Sequence, residues 1–285
     1  MIGRGLYKDE GVLHEFQTAS ITNPDQETNK YIIEECKKLN NNTNPKAKHI
    51  PTLPEQVTID YVEDKITDIS KMHIGINQKT LSVVTHDFTI TKGTTVTSIN
   101  INYLKNFAVS LATEFKKLQN TTLVIFDPKK ELEKFGKSIN NYYYGDFDNI
   151  VDKLNNYIDK TIKTKKNTNI VIMIYSVSKF IDSISSMDRI TDLLQKYENI
   201  SLVVFDSASQ LKGYLYDDWY KKYFDASGIY VGHGVSDQSV LKISSYSKEL
   251  SKEVPTNIGF YINEGQYKII KLIEFEKMNL GDDDE

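Results

Sequence analysis

The sequence predicts an α/β protein built on a mainly parallel β-sheet with helices on both faces. Residues 122–126, 170–174 and 202–205 form runs that are nearly unbroken in apolar character. Strands that are buried on both faces have this composition, and they are typical of parallel sheets covered by helices. Segments with helical periodicity lie between these runs, and the alternation of strand and helix predicts a doubly wound sheet.

Three segments have the spacing of amphipathic helices. In residues 102–118, apolar side chains recur every three or four positions, and they are Leu104, Phe107, Ala108, Leu111 and Phe115. Residues 147–162 and 190–197 repeat this pattern. Each segment therefore predicts a helix that packs one face on the sheet.

The chain ends in a pattern of a different kind. After a short strand at residues 229–231, the runs 258–262 and 267–272 are separated by Asn-Glu-Gly-Gln. Two apolar runs joined by a short, glycine-containing turn predict a β-hairpin.

The N-terminal part of the chain does not continue the strand–helix alternation of the core and is treated as a separate segment. A strand is predicted at residues 13–18 and a helix near 26–39, followed by a proline- and asparagine-rich connector over 40–54. We divide the chain into an N-terminal segment (1–80), a core (81–280) and an acidic tail (281–285), which together form a single domain.

Composition excludes several classes of protein. The chain has 285 residues and a formal net charge of −4, which offers no basic surface for nucleic acid. Its 18 Tyr and 12 Phe exclude a disordered chain. A single cysteine, Cys36, and five scattered histidines predict neither a disulfide nor a metal site. Because the apolar run at 170–175 is far short of the ~20 residues that span a bilayer, we expect a soluble, cytosolic polypeptide.

Several short strings, spread over almost the whole chain, carry a family resemblance. They are Gly3-Arg4-Gly5 with residues 15–19, then residues 50–54 and 74–76, Phe126-Asp127-Pro128-Lys129, and residues 229–232 with 236–238. In this order they resemble the FtsK/SpoIIIE-type ATPase domains of type VII secretion systems, in particular the C-terminal domain of the EssC family of coupling proteins. The resemblance implies a RecA-like P-loop NTPase fold. It also implies a fragment of a larger, membrane-anchored protein, located in the cytoplasm at the inner face of the membrane.

The resemblance places a phosphate-binding loop between a strand near residues 88–90 and the helix that begins near Asn102. In the motif, a Gly-rich turn wraps the phosphates, a Lys contacts the β/γ-phosphates and a Ser or Thr binds Mg²⁺. Aligned with it, Thr91 and Val96 replace the two glycines and Thr97 replaces the lysine, so only Ser98 matches. The predicted remnant of the nucleotide pocket consists of Lys92, Gly93, Thr94, Thr95, Val96, Thr97, Ser98 and Asp206.

The acidic pair of a motor ATPase is also missing. Such an enzyme needs an Asp for Mg²⁺ and a neighbouring catalytic Glu at the end of a central strand. By chain order these Walker B positions hold Tyr175 and Ser176, and neither is a carboxylate. If Asp206 were the metal ligand instead, Ser207 would still replace the Glu. We therefore predict no catalytic residue, metal site or required cofactor, with weak binding of Mg-ATP as the alternative.

An aromatic segment at residues 211–224 has two interpretations. It is a helix that covers the sheet edge, or it is a docking surface for a partner, since Trp and Tyr are enriched in binding hot spots. The residues predicted for docking are Tyr216, Trp219, Tyr220 and Tyr223.

Three functions remain open at this point. The favoured one, implied by the resemblance, is a degenerate ATPase-like module of a type VII secretion motor. It would recognise secreted substrates through their C-terminal signals and regulate the preceding ATPase module of the same chain, with oligomers formed only by the full-length parent. The first alternative is an active or weakly active ATPase that uses Lys92 and Asp206. The second is an FtsK-like DNA translocase, against which the negative charge argues.

Overall fold

The computed structural model describes residues 4–9, 12–17, 27–41, 52–58, 69–164 and 168–274. The predicted acidic tail and residues 42–51 of the predicted connector lie outside this part. The chain divides into two compact units, Met1–Ile50 and Pro51–Glu285. In the described ranges, no helix combines the length and the apolar character that crossing a membrane requires.

The first unit contains a two-stranded sheet and a helix. Strands β1 (Arg4–Asp9) and β2 (Val12–Gln17) pair antiparallel, with Arg4 opposite Gln17 and Asp9 opposite Val12. Helix α1 spans Thr28–Asn41. The strand predicted at residues 13–18 and the helix predicted near 26–39 are therefore confirmed.

The second unit is built on a ten-stranded sheet. Its strands are β3 (Met72–Asn77), β4 (Val83–His86), β5 (Gly93–Ser98), β6 (Thr121–Phe126), β7 (Tyr142–Tyr143), β8 (Asn169–Tyr175), β9 (Ile200–Ser207), β10 (Gly228–Val231), β11 (Ile258–Asn263) and β12 (Gln266–Leu272). Its helices are α2 (Lys105–Lys117), α3 (Glu133–Gly136), α4 (Phe147–Thr164), α5 (Val177–Ile181), α6 (Asp188–Lys196), α7 (Ala208–Leu211) and α8 (Asp218–Tyr223).

Strand order divides the sheet into a parallel and an antiparallel half. The order is β4-β3-β12-β11-β10-β5-β9-β8-β6-β7. Every neighbouring pair from β10 to β7 is parallel, and every pair from β4 to β10 is antiparallel. The predicted hairpin is confirmed as β11–β12, which joins the parallel half through β10. Strand β3, which lies in the predicted segment 1–80, is part of this sheet.

Two hydrophobic cores cover the two faces of the sheet. Along β8, Ile172 packs in one core with Leu154 of α4 and Ile190 of α6, while Met173 packs in the other with Phe107 of α2. Alternate residues of a strand point to opposite faces, so a strand between two helical layers needs apolar side chains at every position. This explains the unbroken apolar runs, and it confirms the predicted sheet with helices on both faces.

A close contact at Gly93 fixes the position of α8 on the sheet. Gly93 is the first residue of β5, and a Cβ atom there would lie 2.6 Å from the Tyr223 carbonyl oxygen and 2.8 Å from the Phe224 ring. Both distances are too short for non-bonded atoms, so the absence of a side chain allows the chain after α8 to pack directly on β5.

We expect Gly93→Ala to lower the free energy of unfolding by about 1–3 kcal/mol, because the added methyl group forces backbone and ring apart. Gly213→Ala is the matched control, since a Cβ there has no atom within 4 Å, and its effect should stay within about 0.5 kcal/mol. Urea denaturation of both variants measures this. Equal stability of the two would contradict the role given to Gly93.

A buried histidine connects two strands of the antiparallel half, β4 and β11, to β5. His86 of β4 has its Nε2 3.0 Å from Thr94 Oγ1 and its Nδ1 3.2 Å from the Tyr261 hydroxyl. Its ring also contacts Phe88 edge-on at 4.4 Å between centroids. Burial lowers the pKa of His86 to about 4, while the carboxylates of Asp87 and Asp225 oppose that shift. The imidazole is therefore neutral near pH 7.

This burial predicts a loss of stability in weak acid. Between the unfolded pKa of ~6.5 and the folded pKa of about 4, only the unfolded chain binds a proton at His86. The free energy of unfolding should therefore fall as the pH drops through this window, by at most about 3 kcal/mol.

The measurement compares urea denaturation at pH 7, 6 and 5 for the parent chain and His86→Gln. The variant should lack this part of the pH dependence. His233→Gln, a histidine change outside the network, is the control. An identical pH profile in the parent chain and in His86→Gln would show that the argument is wrong.

Candidate nucleotide site

The carboxyl ends of β5, β9, β8 and β6 meet at one edge of the sheet, because these neighbouring strands are parallel. This edge is where open α/β sheets bind ligands. The side chains at the four strand ends are Ser98, Asp206, Tyr175 and Asp127. They form the candidate nucleotide site.

The structure corrects the predicted phosphate-binding loop. Residues 88–90 form a turn, and Gly93–Ser98 is strand β5, paired in parallel with β9 from Gly93 opposite Leu202 to Ser98 opposite Ser207. All six residues of β5 are buried. The run of β-branched residues from Thr94 to Thr97 favours this strand, so the loop assignment at residues 91–98 is wrong.

The turn that follows β5 is too short to wrap a phosphate chain. Only Ile99 and Asn100 separate β5 from a 3₁₀ turn at Ile101–Leu104, which leads directly into α2. Asn100 is extended, with φ −136°, and its side chain accepts a hydrogen bond from Asn102 N. Between residues 93 and 117, all described, no residue has positive φ. The turn therefore lacks the backbone curvature of a phosphate-binding nest.

Lys92 lies at the opposite edge of the sheet. Its Nζ donates hydrogen bonds to the carbonyl oxygens of Leu194 (3.0 Å) and Tyr197 (2.7 Å) at the C-terminal end of α6. A cation there stabilises the negative end of the helix dipole. Five residues of extended strand, about 17 Å, separate Lys92 from Thr97, which pairs with Asp206. The structure does not bring Lys92 and Asp206 together.

Tyr175 fills the space between the end of β8 and the turn after β5. Its side chain is 1% exposed, and its hydroxyl donates a hydrogen bond of 3.0 Å to the Ile101 carbonyl oxygen. Burial raises the pKa of Tyr175 well above its usual value, and the carboxylates of Glu131, Asp127 and Asp206 raise it further. The phenol thus stays protonated and keeps its role as donor.

Ser176 occupies the position that follows β8 in a strained conformation. Its φ of 64° and ψ of 73° are left-handed, and its N–H donates to the Phe205 carbonyl oxygen. Left-handed backbone costs a residue with a side chain about 1–3 kcal/mol. The two positions that the sequence alignment assigned to the Walker B pair therefore hold a buried phenol and a strained serine.

Asp206 acts as a structural carboxylate. It is 2% exposed, and its Oδ2 accepts a hydrogen bond from Ser178 N and its Oδ1 one from Ser207 N, both at 2.8 Å. The hydrogen bond from Ser178 N attaches the start of α5 to β9. Lys179 is near enough to interact electrostatically with Asp206, but its Nζ pairs with Asp182 at 2.9 Å. The buried negative charge of Asp206 would repel a phosphate placed here.

Asp127 forms a network that the sequence interpretation missed. Its Oδ2 accepts hydrogen bonds from Leu132 N (2.6 Å) and from the Tyr142 hydroxyl (2.7 Å). Burial raises the pKa of Tyr142, and its hydrogen bond to Asp127 adds to this shift. Two buried oxygen atoms at this edge, Asp127 Oδ1 and Ser98 Oγ, have no hydrogen-bond partner. The sequence signal was the string Asp-Pro-Lys, which indicated a strand end but not its partners.

Burial removes half of the predicted docking surface. Trp219 is 8% and Tyr220 3% exposed, and the Tyr220 hydroxyl lies 2.8 Å from Thr95 Oγ1. These two residues pack α8 on the face of the sheet at the central strand β5, so the helix of the alternative interpretation does not lie at the sheet edge. Tyr216 is 81% exposed and lies under the Lys221 ammonium, and Tyr223 is half-buried. A partner can therefore reach Tyr216 and part of Tyr223.

Solved structures with the same architecture are ATPase domains of secretion and conjugation proteins. EssC (ATPases 2 and 3) from Geobacillus thermodenitrificans matches with a TM-score of 0.70 and 16% identity, over 96% of this chain and 56% of that one. EccC (ATPases 2 and 3) from Thermomonospora curvata, in complex with a signal sequence peptide, matches with a TM-score of 0.60 and 14% identity, over 95% and 53%. The pCW3 conjugation coupling protein TcpA, in its monomer form with ATPγS, matches with a TM-score of 0.52 and 11% identity, over 78% and 71%.

These matches confirm the predicted RecA-like P-loop ATPase fold. The chain spans about half of the length of the EssC and EccC structures. No family model matches the sequence, and no curated relative matches it.

We expect Ser98→Ala to leave the free energy of unfolding unchanged or to raise it by up to about 1 kcal/mol, because it removes a buried hydroxyl without a partner. Ser201→Ala is the control from a neighbouring strand. The Ser201 hydroxyl donates to the Phe88 carbonyl oxygen, and its loss should cost about 1 kcal/mol. Urea denaturation compares the two variants. A larger loss in Ser98→Ala than in Ser201→Ala would show that the Ser98 hydroxyl has a stabilising partner.

Proposed function

We propose that this chain is a degenerate ATPase-like module of a type VII secretion motor, which binds partners and does not hydrolyse ATP. The observation that carries the proposal is the hydrogen bond from the buried Tyr175 hydroxyl to the Ile101 carbonyl oxygen. It joins the end of β8 to the turn after β5, the two elements between which a P-loop enzyme holds its nucleotide and metal.

The chemistry of the strand ends supports the proposal. Phosphoryl transfer depends on cationic groups that stabilise the γ-phosphate and on an acidic residue or Gln that positions the attacking water. Here the carboxylate of Asp206 accepts hydrogen bonds from two backbone N–H groups, and the Lys92 ammonium donates hydrogen bonds to carbonyl oxygens at the end of α6. In these positions the two residues supply neither function, and the described part of the chain contains no cluster of His, Cys, Asp or Glu that could hold a metal ion.

The second part of the proposal concerns partners. The EccC structure contains a signal sequence peptide, and both it and the EssC structure contain ATPases 2 and 3. We extend this to the present chain as a module that receives the C-terminal signals of secreted substrates and contacts an adjacent ATPase module. Exposed Tyr216, beside Lys221, offers an aromatic and cationic contact for such a peptide. The parent protein would hold the module at the cytoplasmic face of the membrane.

Calorimetry with Mg-ATP, together with a phosphate-release assay, tests the first part. We expect no saturable binding and no turnover above the buffer blank, for the parent chain and for Asp206→Asn alike. Circular dichroism checks that the variant is folded. Turnover in the parent chain that disappears in a folded Asp206→Asn variant would overturn the proposal in favour of an active ATPase.

A synthetic peptide with the C-terminal signal of a secreted type VII substrate tests the second part in the same calorimeter. We expect saturable binding that weakens about tenfold in Tyr216→Ala, as for a binding hot spot. Tyr246→Ala removes another exposed tyrosine, 73% accessible, and is the control. A peptide that does not bind would contradict substrate recognition without restoring hydrolysis, so the two parts can fail separately.

A further inference from the structure

We draw no further inference here: the strongest candidate, the apolar surface patch that helix α1 of the first unit presents through the exposed side chains of Ile32, Ile33 and Leu39, carries no proposal because nothing in the described part of the chain shows what covers it.

Discussion

The phenol of Tyr175 determines what the carboxyl edge of this sheet can do. In a P-loop enzyme, nucleotide and metal bridge the loop after one strand and the acidic end of another. Here the hydroxyl of Tyr175 makes that bridge to the Ile101 carbonyl oxygen, and its ring lies 6.0 Å from Phe205. The short turn after β5 agrees with the proposed function, because a loop that wraps no phosphate needs no glycine and no extra length.

In the proposed function, acidic side chains remain at this edge for a structural reason. Asp206 accepts hydrogen bonds from two backbone N–H groups, and Asp127 accepts one from a backbone N–H and one from a phenol hydroxyl. Each carboxylate accepts hydrogen bonds from buried donors. Without it these donors would be left unpaired, which is costly. Their hydrogen bonds connect the ends of β9 and β6 to neighbouring segments, and their negative charges in the same positions disfavour a bound phosphate. An acidic residue at the end of a parallel strand can therefore be structural.

The sequence was sufficient to locate strands and helices whose burial follows one regular pattern over their whole length. Strands β6, β8 and β9 are buried on both faces, and the helices between them have one apolar face, so periodicity located them. It failed at β5, because the motif template fixed the loop at residues 91–98, although β-branched Thr94 to Thr97 favour a strand. It could not reveal the bond from Tyr175 to Ile101 or the burial of Tyr220, since both join residues far apart in sequence.

In the proposed function, a site filled by its own side chain limits how the module takes part in a motor. A ligand shifts a conformational equilibrium only if it binds one state more tightly than the other. In the proposed function ATP has no differential affinity for states of this module, so the nucleotide cycle of a neighbour reaches it only through their contact. A bound substrate signal would then be the input that this module adds. Its effect on the neighbour equals, by linkage, the effect of the neighbour's state on substrate affinity.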